Sequence, residues 1–145
     1  MDRRIPETVS FELHPQLARD TLPVARLNVS ELLLMNDARF PWCILVPRKT
    51  GLTEWHHLTD ASLAGVAAEI HAVSLALEAL PGITKLNVGA LGNRITQLHI
   101  HVVGRHPDDA AWPGPVWGQG TAQPYAPGAA DELLARLRNG IRSIS

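Results

Sequence analysis

From Thr59 to Leu80, small and apolar side chains recur at helical spacing, with Leu63, Val66, Ala67, Ile70, Ser74 and Leu77 on one face and Pro81-Gly82 closing the segment. The pattern predicts one long helix. A second helix is expected over about Ala129–Ile141, with Leu133, Leu137 and Ile141 on one face. Its charges suit the helix dipole, Asp131 and Glu132 in the first turn and Arg136 and Arg138 near the end. Apolar runs that read as extended occupy Leu22–Leu27, Glu31–Met35, Trp42–Pro47, Lys85–Leu91 and Ile95–Gly104. The short link Gly92-Asn93-Arg94 between the last two predicts an antiparallel hairpin. Strands first, one long helix and then a hairpin give an α+β class, an antiparallel sheet of about five strands with one long helix and a C-terminal helix. Between Trp112 and Gly128 four Pro and four Gly mark a long loop.

Length and charge narrow the possibilities. At 145 residues, 46% hydrophobic and 19% charged, the chain reads as one globular domain, 1–145. Its core is expected over about 11–106, with a lid-like loop and the C-terminal helix over 107–145. No apolar run reaches the ~20 residues of a membrane span. Thirteen basic residues against fourteen acidic ones create no field suited to a polynucleotide. The start, Met1 to Glu7, lacks the pattern of a secretory signal, and the lone Cys43 has no partner for an internal disulfide, so a cytoplasmic protein is expected.

The segment Gln97-Leu98-His99-Ile100-His101-Val102-Val103 carries the candidate chemistry. Alternate side chains of a strand share a face, so Gln97, His99 and His101 project together, away from Leu98, Ile100 and Val102. Gly92-Asn93-Arg94 just before it offers backbone N–H donors unencumbered by side chains, as a phosphate requires.

These residues resemble the histidine triad family of nucleotide hydrolases and transferases, whose signature is His-φ-His-φ-His-φ-φ with φ apolar. Asn87-Val88-Gly89 followed by Gly92-Asn93 is similar to the family's Asn-x-Gly and phosphate loop, and Trp42-Cys43-Ile44-Leu45-Val46-Pro47 to its strand ending in Val/Ile-Pro. Asn36-Asp37 stands where the family places a ribose-hydroxyl acceptor. The resemblance spans about Leu22 to Arg105. It implies that His99 attacks an α-phosphorus to form a nucleotidyl-histidine, which water resolves. His101 would bond a non-bridging oxygen or the leaving-group bridge, and the amides near Asn93, with Arg94, would take up negative charge. Either phosphoramidates or dinucleoside polyphosphates fit. A homodimer built through the long helix and an edge strand is also implied, with a small nucleotide as partner and no cofactor. Gln97 departs from the pattern, since a carboxamide orients through hydrogen bonds but cannot shuttle a proton near pH 7.

The remaining residues have plainer readings. His56 and His57 read as loop surface, His71 as a half-buried packing residue, Cys43 as inert core, and His14 and His106 carry no assigned role. Trp112 and Trp117 are candidate lid residues over a base. Two rivals remain. A His-x-His strand can offer two nitrogens to zinc, though no companion ligand stands in the hairpin and no metal is expected. Gln97 would also suit a nucleotide-binding module without catalysis.

Overall fold

The computed structural model describes residues 10–144. Helix α1 (Pro15–Asp20) leads into β1 (Thr21–Arg26), β2 (Ser30–Met35) and β3 (Trp42–Pro47); α2 (Asp60–Glu78), β4 (Lys85–Gly89), β5 (Ile100–Arg105) and α3 (Asp131–Ile144) follow. The five strands form one antiparallel sheet in the order β1-β2-β3-β5-β4. The α+β architecture expected from the sequence is therefore the observed one.

Strand alternation sorts the core into two layers. Leu32, Leu34, Cys43, Leu45, Ile100 and Val102 point to the face covered by α2 and α3, where Val66, Val73, Leu77, Leu137 and Ile141 meet them. Leu33, Trp42, Ile44, Val46 and Val103 point to the opposite face, where they pack with Leu17 of α1, Phe40 and Val116. Cys43 is fully buried, and burial pushes its thiol up to about 12, which leaves it inert. Pro23 sits on β1, an edge strand, where its missing N–H breaks no inner ladder.

Thr59 caps α2 by accepting from Ser62 N at 3.2 Å, and Gly82, at φ +81°, carries the chain away from its end. The buried stripe runs through Ser62, Val66, Glu69, Val73, Ala76 and Leu77, rotated by about one position from the one expected. Ala67 and His71 are exposed, so His71 is not a half-buried packing residue. The helix is apolar almost all round, and its orientation is set by a contact at distance: the Glu69 carboxylate accepts from Val29 N at 2.8 Å. Its 19 residues are also apolar enough to match a membrane span by length and composition, yet here they pack against the sheet.

Two further expectations change. The β4–β5 pair is antiparallel, but its link is the long segment 90–99 rather than a three-residue turn, and ladder pairing starts at Ile100, so Gln97 and His99 precede β5. Helix α1 was not foreseen; Pro15 opens it and His14 Nδ1 accepts from Gln16 N at 3.0 Å.

Candidate active site

Although β5 begins only at Ile100, the alternation holds one step earlier. Leu98 and Ile100 enter the helical layer while His99 and His101 meet on the other face, their ring centroids 4.9 Å apart and both buried. The His99 Nδ1–H donates to the main-chain carbonyl of its near neighbour Gln97 at 2.7 Å, which leaves the Nε2 lone pair available. His101 is arranged the opposite way round. Its Nδ1 accepts from the indole Nε1–H of Trp42 at 2.9 Å, which puts the ring proton on Nε2. Burial, with the adjacent His99, pushes the His101 pKa down to about 3, so the ring is neutral near pH 7. Trp117 closes the group, edge-on to His101 at 5.4 Å and to Trp42 at 6.4 Å. A Cβ at Gly89, the register partner of His101, would come within 3.3 Å of the Trp117 ring, so a larger residue there would have to push this indole by a few tenths of an ångström.

The carboxamide of Gln97 does not orient His99, as its triad position suggested. Its Oε1 accepts from His14 N and its Nε2 donates to Glu12 O, each at 2.8 Å, so the side chain ties the segment before α1 to the site and the carbonyl does the orienting. Asn87 lies on the same sheet face, two residues from Gly89, and its Oδ1 accepts from Arg105 Nη1 at 2.7 Å. Arg105 is itself buried and forms a two-pronged pair with Asp109 at 2.6 and 3.0 Å, while Nη2 also donates to Gly114 O. Burial alone would raise the Asp109 carboxyl, but hydrogen bonds from Arg105, Ala111 and His106 hold it down at about 2. This network fixes the Asn87 side chain with its Nδ2 unpaired among the described residues. Gly92 takes φ +71° in the 90–99 segment, and Asn93 and Arg94 beside it are exposed.

Asp37 is not a free ribose acceptor. Its oxygens receive Arg39 N, Nε and Nη2 and Gln123 N, and the residue is 1% exposed. Burial would raise this carboxyl too, but those bonds and the charge of Arg39 hold it below its usual range. Asn36 Oδ1 accepts from Tyr125 N at 2.9 Å and Arg39 Nη1 donates to Gln119 O at 2.8 Å. The Asn-Asp-x-Arg run is thus a clamp on the Pro- and Gly-rich loop. Between clamp and loop lies a cavity of about 420 Å³, lined by Arg19, Asn36, Arg39, Trp42 and Gln119 among others. Trp42 connects it to the histidines. Of the two lid candidates, Trp112 is turned away, its ring beside the Arg105 guanidinium at 5.6 Å, whereas Trp117 forms part of the site wall.

Residues 19–108 match the HIT domain family. The chain belongs to it. A histidine triad protein from Bradyrhizobium japonicum is 37% identical, superposes with a TM-score of 0.89 and covers 92% of this chain and 99% of its own. A HIT protein from Sinorhizobium meliloti 1021 is 40% identical over 90% of this chain and 96% of its own, with a TM-score of 0.87. One from Marinobacter aquaeolei VT8 is 38% identical over 94% and 100%, with a TM-score of 0.90. No functionally curated protein matches the chain. HIT proteins are typically nucleotide-binding proteins and hydrolases.

In this HIT domain the residues that escaped sequence reasoning are Trp42, Arg39, Arg105 and Asp109. Trp42 had one legible signal: it shares strand parity with Ile44, which pairs with His101 once β3 and β5 are in register. Among the described residues no three His, Cys, Asp or Glu side chains group as metal ligands, and His56 and His57 meet edge-on on the surface, their ring centroids 4.3 Å apart.

Proposed function

We propose that the protein is a nucleotide hydrolase in which His99 Nε2 attacks the α-phosphorus and forms a nucleotidyl-histidine. The observation that supports this is the complementary proton placement on two adjacent imidazoles, one with a free Nε2 lone pair and the other with an Nε2–H. Attack forms the N–P bond and breaks the bond to the leaving group, which takes the electron pair. Water then cleaves the N–P bond, releases the nucleoside monophosphate and restores neutral His99. His101 donates its Nε2–H to a phosphoryl oxygen or the bridging atom. Asn87 Nδ2, the amides around Gly92 and Asn93, and Arg94 are assigned to the phosphates. The cavity beside Trp42 is assigned to the nucleoside, its volume being within the usual range for such sites, with the Asn36 Nδ2 toward ribose. Trp117 is assigned to the wall rather than to a moving lid. Gln97 contributes through its carbonyl. Imidazole supplies the nucleophile, so the route calls for no cofactor or metal.

The supporting experiment mixes protein with adenylated and guanylated phosphoramidates and dinucleoside polyphosphates, quenches, and weighs the protein. A nucleotide adduct in the wild type that is lost in His99→Ala and retained in EDTA is expected. Binding of a nucleoside monophosphate with no adduct and no turnover would overturn the hydrolase in favour of the binding module, which the non-titrating Gln97 motivates.

We also assign a homodimer acting in the cytoplasm. Edge strand β4 exposes Val88 and the segment after it exposes Leu91, while neighbouring α2 exposes Leu75. An unpaired apolar edge is a liability that pairing removes. A monomer in analytical ultracentrifugation at micromolar concentration would remove that assignment.

A further inference from the structure

Trp42 and His101 are the two ends of one buried hydrogen bond, 2.9 Å from indole nitrogen to Nδ1. An indole nitrogen donates and offers no lone pair in return. While the contact persists, Nδ1 of His101 is an acceptor and the ring proton resides on Nε2. A doubly protonated His101 would set two N–H groups face to face with nothing between them to accept. The other groups packed on His101 do not reverse this: Trp117 from the loop after β5 meets it edge-on, Gly89 of β4 has no side chain, and His99 beside it is basic rather than acidic.

The geometry points to Trp42 as a positioning residue that holds His101 as a neutral Nε2–H donor and thereby restricts the site to leaving groups that depart without a proton, the phosphoric-anhydride class. This rests on the hydrolase reading above. When a nucleoside polyphosphate leaves, the P–O bond breaks, the electron pair stays on a phosphate oxygen, and the anion is stable because phosphate ionises near pH ~6. No proton has to move. When an amine leaves, the P–N pair reaches a nitrogen that must gain a proton at the same time. Among the described residues the site has no group placed to supply it. A neutral His101 would have to become an imidazolate, Gln97 does not titrate and its carboxamide is bound to Glu12 and His14, and the His99 proton lies on the far nitrogen, against the Gln97 carbonyl. The low pKa of His101, with burial as its main cause, agrees with this assignment.

Two measurements test it. In wild-type protein labelled with ¹⁵N-histidine, the His101 nitrogens are expected to report an Nε2–H neutral ring between about pH 5 and 8. A proton on Nδ1, or titration within that range, overturns the role given to Trp42 whatever the turnover. Separately, kcat/KM is compared for diadenosine tetraphosphate and an adenosine 5′-alkylphosphoramidate. The wild type is expected to prefer the anhydride by about a hundredfold or more, the usual worth of a missing general acid. Trp42→Phe keeps an aromatic ring but lacks the N–H. It is expected to free Nδ1 to take a proton, raising the His101 pKa while burial still holds it below the ordinary value, and to narrow that preference by about tenfold, a change of ratio that a merely loosened site would not produce. Equal or better cleavage of the phosphoramidate by the wild type overturns the leaving-group restriction, as does a proportionate loss on both substrates in Trp42→Phe. If that variant fails to fold, the wild-type spectrum and ratio still decide. Cleavage of neither substrate by the wild type refutes the hydrolase and the restriction with it, while the spectrum still decides the tautomer.

Discussion

His99 and His101 are chemically the same residue held in opposite states, and the difference comes from one partner each, a carbonyl for His99 and an indole N–H for His101. This asymmetry predicts unequal mutants. His99→Ala should abolish adduct formation and cost several orders of magnitude in turnover, because a covalent catalyst is lost, whereas His101→Ala should leave weak activity. Equal and modest losses would show that the nucleophile has been misassigned. Gln97→Ala should behave differently from either. The carbonyl that holds His99 survives the exchange, so turnover should change by less than about tenfold, while two hydrogen bonds to the 12–14 segment are lost at roughly 0.5–1.5 kcal/mol each. A collapse of turnover without loss of stability would refute that reading. The histidines themselves were legible, since alternation alone places them on one face. Their partners were not: the Trp42 bond depends on the register between β3 and β5, and the Gln97 carbonyl depends on a bend that no side-chain pattern encodes.

Elements were legible where their own residues decide them and blurred where a distant contact does. The long helix was readable from its spacing and from Pro81-Gly82, but its buried face was not, because Glu69 answers to Val29 and not to a neighbour on the helix. The hairpin link looked short because Gly92 and Asn93 are turn residues, yet apolar Ile95 and Leu98 pack into opposite layers and the ladder waits until Ile100. The loop after β5 takes its shape from two buried ion pairs, Arg39 with Asp37 and Arg105 with Asp109, whose side chains are at most 11% exposed. Removing one member of a buried pair leaves the other charge uncompensated, at a cost of about 3–5 kcal/mol. Arg105→Met should therefore lower unfolding stability by that order and also free the Asn87 side chain. Arg39→Met should raise amide exchange across Gln119–Tyr125 before it affects β2 or β3. Unchanged exchange in that loop would mean that the clamp does not hold it.

For the whole molecule, the antiparallel α+β plan was set by the order of apolar runs, while the way its acid stability is distributed emerges only from burial. Folding forces His101 to stay neutral, so its folded pKa, about 3, lies below the ordinary 6.5. Between those values the unfolded chain binds a proton that the folded chain does not, and stability therefore falls as pH drops from about 6.5, by up to about 1.4 kcal/mol per pH unit for one such group. Asp37 and Asp109 act in the same direction but later. Their folded values lie below the ordinary 3.8, so the stability they confer is present above that value and is lost only as pH falls below about 4. The interval from about pH 6.5 to 4 thus isolates the histidine. His101→Gln keeps an acceptor for the Trp42 N–H and cannot titrate, so its unfolding free energy in urea should depend less steeply on pH than that of the wild type across this interval, and the two curves should become parallel only below about pH 3. The histidines outside the site are common to both proteins and cancel in the difference. Identical slopes between pH 6.5 and 4 would mean that His101 accepts a proton in the folded protein and that the indole does not hold it neutral.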